Sequence, residues 1–201
     1  RSQPEIKEWV YGSSPATGYA QISLAHLCTK YDKKAVIFMA DRAVEKRHSY
    51  QLQAIEAGAI MHWIPNGMLS VTEKRARDYV AEDPTRRRLL PIGFDHPTVI
   101  ASIIRVARNM DVSPDEVWTV GSSGTLTRGL QIAWPEAEFH CVRVGHRGSY
   151  GRAKTYDSPY PFNKPTKVLP PFPSAPTYDA KAWEFMKKYA RPGALFWNVG
   201  G

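Results

Sequence analysis

Residues 116–125, Glu116-Val117-Trp118-Thr119-Val120-Gly121-Ser122-Ser123-Gly124-Thr125, run directly into Leu126-Thr127-Arg128-Gly129-Leu130-Gln131-Ile132-Ala133. A β-branched run that ends in glycine and hydroxyl residues and then takes up helical spacing is how a strand hands an anion to a helix start. Glycine lets the backbone come close, and free N–H groups face the charge. The stretch therefore predicts a site for a phosphate-bearing ligand. An ordinary strand-to-helix turn with Thr125 as N-cap fits the same residues. A Walker loop would place Lys after the last glycine, and a dinucleotide fingerprint would space its glycines differently, so both are set aside.

On either side of this stretch the chain alternates strand-like and helix-like segments. Glu8 to Tyr11 leads into Gly12-Ser13-Ser14-Pro15-Ala16-Thr17-Gly18, and a helix follows with Ile22, Leu24, Ala25 and Leu27 on its apolar positions. Ala35 to Met39 is almost wholly apolar, as a parallel strand covered on both faces would be. A helix over 44–57, a strand over 59–64 and a charged helix over 69–81 come next. Leu89 to Phe94 reads as a strand entering a turn. Asp95, as an N-cap, then precedes a helix built on Val99, Ile100, Ile103, Ile104 and Ala107. Phe139 to Val144 is a strand, 178–189 a last helix, and 194–199 a closing strand. Such alternation with short loops specifies parallel sheets with right-handed crossovers, whose ligands sit beyond the carboxyl ends of the strands. The expected fold is α/β, with helices on both faces of parallel sheets and two lobes around a cleft. Residues 1–85 form the smaller lobe and 86–201 the larger. Residues 148–176 break the alternation with Tyr150, Tyr156, Tyr160, Phe162 and Phe172 among prolines, which predicts an ordered wrap, a disordered strip or a functional cover.

Composition narrows the class. The 201 residues are 43% hydrophobic, enough for a sizeable core, and no apolar run approaches the roughly 18 residues of a membrane span. No secretory pattern opens the sequence, so a soluble cytoplasmic protein is expected. Cys28 and Cys141 lack metal-ligand spacing and read as small buried hydrophobes. A net charge of +8 and a pI near 9.5 suit an anionic ligand, but the cations are scattered. The one dense run, Arg86-Arg87-Arg88, reads as a solvated connector, which argues against a nucleic-acid partner. His26, His48, His62, His96, His140 and His146 show no ligand spacing, so no metal is expected; His96 lies beside the Gly93 turn.

With these turns in order, the chain resembles the tryptophan synthase β-like superfamily of pyridoxal-phosphate enzymes (fold type II). Within it, the chain is most similar to the aminocyclopropane-carboxylate deaminase and D-cysteine desulfhydrase branch. Four places carry the resemblance. Ala16-Thr17-Gly18-Tyr19-Ala20-Gln21 with Lys34 to Met39 is similar to the family's Asn-His helix start and the strand after it. Leu90-Pro91-Ile92-Gly93-Phe94 is similar to its Pro-Val/Ile-Gly-Gly-Ser strand end, and Gly121 to Thr125 to its glycine-rich phosphate loop. Ala194 to Gly201 is similar to its C-terminal His-Thr-Gly-Gly segment.

The resemblance implies a lyase or deaminase acting on a small amino acid with pyridoxal 5'-phosphate as cofactor. Gly121, Ser122, Ser123, Gly124 and Thr125 would hold the phosphate and Asn198 would border the ring. Ser14, Thr17, Gly18 and Tyr19 would face the substrate, and a homodimer is implied. Departures leave the catalytic residues unassigned. The family's Schiff-base lysine lies some tens of residues before the helix start, whereas Lys7 sits immediately before the first strand and Lys154 reads as a loop lysine. Asn-His is replaced by Gly18-Tyr19, and the C-terminal Thr by Val199, which cannot hydrogen-bond a ring nitrogen. The alternative is a phosphate-ligand module that keeps the cradle without the covalent chemistry. A phosphoribosyltransferase would want acidic residues before its loop, and Trp118-Thr119-Val120 supplies none.

Overall fold

The computed structural model describes residues 3–65, 67–145 and 148–200, and divides into two compact units, Arg1–Phe94 and Asp95–Gly201. His146 and Gly201 lie outside the described residues.

In the first unit the strands are β1 (Glu8–Tyr11), β2 (Lys34–Ala40), β3 (Ile60–Ile64) and β4 (Arg87–Leu89). The helices are α1 (Ala20–Lys30), α2 (Ser49–Glu56) and α3 (Leu69–Glu82). All strand pairs are parallel, in the order β3-β2-β1-β4. Alternation along β2 sorts its side chains by face. Ala35, Ile37 and Met39 join Ile22, Leu24, Ala25, Cys28 and Ala54 from α1 and α2, while Val36 and Phe38 join Ala76 of α3. The sequence places a lobe boundary at 85/86; β4 pairs with β1 and so completes the first sheet.

The second unit contains α4 (Pro97–Arg108), β5 (Glu116–Gly121), α5 (Thr125–Ala133) and β6 (Glu138–Arg143). It ends with β7 (Lys154–Asp157), α6 (Trp183–Tyr189) and β8 (Leu195–Phe196). Its sheet is again wholly parallel, in the order β7-β6-β5-β8. Every residue of β5 is buried. Val117 packs with Leu130, Ala133, Phe139 and Ala107 on the α4/α5 face, and Trp118 and Val120 pack with Val142, Ala182 and Met186 on the other. Both sheets thus wind identically, and both begin with Trp-x-x-Gly-Ser-Ser, at Trp9 to Ser14 and at Trp118 to Ser123.

Several expectations need correction. The expected helix over 44–57 is a 3-10 turn followed by α2, because His48 caps α2: its Nδ1 accepts from Tyr50 N–H while Gln51 Oε1 accepts from His48 N–H. Residues 89–94 end their strand at Leu89 and turn through Gly93 and Phe94, both at positive φ. Asp95 is not the N-cap of α4; His96 is, its Nδ1 accepting from Thr98 N–H. Residues 154–157, inside the aperiodic strip, form β7 against β6. The last helix begins as a 3-10 turn at Asp179–Ala182, and the closing strand is only two residues long. Among the described residues no helix is long and apolar enough to cross a membrane.

At the start of β5, the buried carboxylate of Glu116 accepts from Trp118 Nε1 and from Arg191 N and Nε. Burial pushes Glu116 up, but the bonds from Trp118 and Arg191 outweigh it and hold the carboxyl below its usual value. A lowered carboxylate pKa stabilises the fold above the unfolded pKa and loses that contribution as pH falls through the folded value. Arg191→Ala is therefore expected to lower the melting temperature at pH 7. The gap to wild type should close as pH falls through the carboxylate range, read by thermal denaturation across pH.

Candidate functional site

The turn from β5 to α5 is shaped by a contact that its own sequence does not reveal. Gly124, at φ +80°, is the N-cap of α5, and Thr125 is the first helical residue rather than the cap. A Cβ on Gly124 would lie 2.0 Å from Ser149 O, and one on Gly148 would lie 2.0 Å from Ser123 O. Backbone therefore packs on backbone, and Gly148 N–H donates to Ser122 O at 3.0 Å. Tyr150, buried beside them, donates from its hydroxyl to Ser122 O at 2.9 Å. Arg128 braces the same place from below, donating to Ser149 O at 2.6 Å and Ser123 O at 3.3 Å and pairing with Asp95.

So held, the turn presents donors. Among the described residues, no protein acceptor receives the amide N–H of Ser123, Gly124, Leu126 or Thr127. The hydroxyls of Ser123 and Thr125 lie 3.0 Å apart at the same turn. Ser122 differs, since its backbone amide lies beside the buried Tyr178 hydroxyl. Four amides and two hydroxyls thus sit at one helix start, with the positive end of the helix dipole behind them, a donor set of the kind that an anion can use.

Tyr178 leads to a group that sequence reasoning missed. Asp179, 1% exposed, accepts Gly200 N–H at 2.8 Å on Oδ2. Its Oδ1 is buried with no hydrogen-bond partner among the described residues. Burial raises the Asp179 carboxyl to about 6. An orphaned buried carboxylate oxygen costs free energy until a donor meets it. Two residues on, Lys181 is fully buried, donates to Pro161 O at 2.9 Å and Phe162 O at 3.4 Å, and is lowered to about 8 by burial. That amine is spent on anchoring the 161–162 backbone.

The other expected residues fare unevenly. Asn198 spends its amide on Pro173 O and Ser174 Oγ, so it fastens the aperiodic segment to the chain end. In the first unit, Ser14 is buried with its hydroxyl on Pro15 O, and Gln21 Nε2 ties Ala16 O and Gly18 O together. Tyr19 packs edge-on against Tyr50, and Thr17 and Gly18 share the turn before α1. Beside them, a cavity of about 220 Å³ at the carboxyl ends of β1 and β4 is lined by Ser13, Glu73, Arg77 and Leu90, with Ser13 donating to Glu73 at 2.7 Å. Lys7 stands at the opposite, amino edge of that sheet, and Lys154 is exposed at the start of β7. Cys28 and Cys141 are buried thiols raised by that burial, Cys28 to about 11.

Contrary to the histidine spacing, Glu116, Glu138 and His140 gather their ligand atoms within 4.8 Å of one another. Arg191 already pairs with both carboxylates, and His140 stacks on Trp118 at 4.4 Å. The donor set is thus engaged by the guanidinium and the indole N–H at the amino end of β5, away from the cradle at its carboxyl end.

No protein-family model matches the chain. Glycyl-dTMP PLP-dependent decarboxylase of Pseudomonas phage M6 is 24% identical over 214 residues, covering 89% of this chain and 77% of that protein. Among solved structures, an ACC deaminase homologue superposes with a TM-score of 0.80 at 16% identity, over 97% of this chain and 74% of its own. The apo form of Escherichia coli diaminopropionate ammonia lyase gives a TM-score of 0.64 at 14% identity, over 98% of this chain and 66% of its own. Paired parallel sheets with this winding and these neighbours give the chain the α/β fold of the fold type II pyridoxal-phosphate enzymes.

Proposed function

We propose that the chain is a pyridoxal-phosphate-dependent enzyme of the lyase or deaminase class that acts at the α-carbon of a small amino acid. One observation carries the reading: the second unit holds both the donor-rich turn at Ser123 to Thr127 and the buried Oδ1 of Asp179, which has no partner among the described residues. The cofactor needs both features, a seat for its phosphate dianion and an acceptor for a protonated ring nitrogen. Amides of Ser123, Gly124, Leu126 and Thr127 and the hydroxyls of Ser123 and Thr125 would hold the phosphate. Arg128 would keep the loop in shape from behind, and Tyr178 would fix Ser122.

When bound, pyridoxal phosphate supplies an electron sink for charge developing at the substrate's α-carbon. Asp179 does the corresponding work for the protein, because an ionised carboxylate in this dry position favours the protonated ring. Gly200 orients it by donating to the carboxyl. In the first unit, the turn with Ser14, Thr17, Gly18 and Tyr19 is assigned to the substrate carboxylate. The name of the phage relative places a glycyl group on a nucleotide, which supports a small amino-acid substrate. A second reading, a phosphate-ligand module without covalent chemistry, is favoured by the positions of Lys7 and Lys154. One stands at the wrong sheet edge and the other on an exposed strand start.

Absorbance of the full-length protein titrated with pyridoxal phosphate separates the two. A band near the visible edge that borohydride removes is expected, and Ser123→Ala and Thr125→Ala should each weaken cofactor binding about tenfold or more, as loss of a bond to a charged group does. A rise in melting temperature with inorganic phosphate but no band would instead establish the phosphate module. Gly124→Ala is not an informative variant, because left-handed backbone and the Ser149 contact together are expected to cost about 3 kcal/mol or more.

Asp179 gives a separate pH signature. Its folded pKa is raised, so the cofactor-free fold binds this proton more tightly than the unfolded chain and loses stability as pH rises from about 4 to about 6. Asp179→Asn should remove that decline and stabilise the cofactor-free protein at pH 7 by up to about 3 kcal/mol, while weakening cofactor binding. Denaturant melts at several pH values check the first effect and the titration checks the second.

A further inference from the structure

The cations that are scattered in the sequence are gathered by the first sheet. Parallel pairing brings the starts of β2, β1 and β4 to one edge, where Lys34 stands opposite Glu8 and Glu8 opposite Arg87, with Lys7 and Arg86 one position before them. Lys34 N–H donates to Lys7 O at 2.9 Å, and Lys7 N–H donates to Arg86 O at 2.8 Å. Lys7, Lys33, Lys34, Arg86 and Arg87 thereby line one concavity of about 410 Å³, together with Glu8, Asp32 and Asp83.

The charges there do not cancel. Arg87 is consumed by Glu8 and Glu82 and lies over the Tyr79 ring. Among the described residues, Lys7, Lys33, Lys34 and Arg86 have no carboxylate within ion-pair distance. Lys33 donates to Pro4 O and keeps its charge. Asp83 accepts from the Thr85 hydroxyl and from Arg86 N–H. Tyr31, 50% exposed, and Lys30 flank Asp32 in the turn that delivers Lys33 and Lys34.

We propose that this edge is a docking surface for the phosphodiester backbone of a nucleic-acid strand. Strand starts about 4.8 Å apart spread the cations of Lys34, Lys7 and Arg86 across roughly 10 Å, a cationic edge that a chain of phosphates complements in charge. An unpaired row of this kind contacts backbone rather than bases, so binding is independent of sequence and falls with salt. The exposed Tyr31 ring offers a face on which a base stacks. The proposal does not rest on the cofactor reading, since the row lies at the edge of the first sheet opposite the Gly12–Ser14 turn and shares no residue with the cradle.

The test is fluorescence anisotropy of the full-length protein with a labelled thymidine oligomer of about 20 nucleotides, over about 50 to 200 mM salt. Three phosphates at about −0.7 each predict a log–log slope near −2 and roughly a twenty-fold weakening over that range. The triple variant Lys7→Glu, Lys34→Glu, Arg86→Glu is expected to lose at least tenfold in affinity and most of the slope. A control with the same charge change, Lys164→Glu, Lys187→Glu, Lys188→Glu, is expected to bind as wild type. Should the first variant fail to fold, acetylation of the wild type reads the same point: the oligomer should protect Lys7 and Lys34 selectively. No binding at low salt, equal loss in both triple variants, absence of protection, or binding to anionic vesicles in place of the oligomer would each overturn the proposal. A missing pyridoxal-phosphate band would not.

Discussion

Parallel pairing is the constraint from which the other features of each unit follow. When every strand of a sheet runs the same way, all carboxyl ends share one edge and all amino ends the other. Strand β5 is buried along its whole length and flanked on both sides, so only its ends can meet anything but protein. Its amino end is sealed by Glu116, Trp118 and Arg191, and its carboxyl end opens into Gly121 and the start of α5. The first sheet obeys the same rule, with Ser13 and Ser14 beyond one edge of β1 and Lys7 at the other.

That rule also explains how much of the molecule the sequence discloses. The apolar run at Ala35 to Met39 and the β-branched run at Val117 to Val120 carry their strand character in their own residues, and both strands form as expected. Strand β7, by contrast, reads Lys-Thr-Tyr-Asp; as an edge strand it is held by pairing to β6 rather than by an apolar face. Asp95 and His96 are equally plausible caps by residue type. Only the fold shows that Arg128 draws Asp95 away and leaves His96 to Thr98.

The candidate site divides along the same line. The half proposed for the phosphate is contiguous, so Gly121 to Thr125 can be found by eye. Its acidic half is not, since Asp179 becomes distinctive only when Gly200, 21 residues later, folds back to donate to it. Lys34, Lys7 and Arg86 come to one sheet edge only through strand pairing, whereas a count of charges along the chain sees two lysines and an arginine far apart.

The reciprocal contact between Gly124 and Ser149, and between Gly148 and Ser123, bears on how this protein can change. Each glycine excludes a side chain on behalf of the other's neighbour, so neither position can be varied alone without moving both segments. Change at this turn is thereby steered away from the two glycines and into the side-chain positions beside them. Within such a lineage the two glycines would be expected to be retained or lost together, as one unit of inheritance spread over two distant places in the chain.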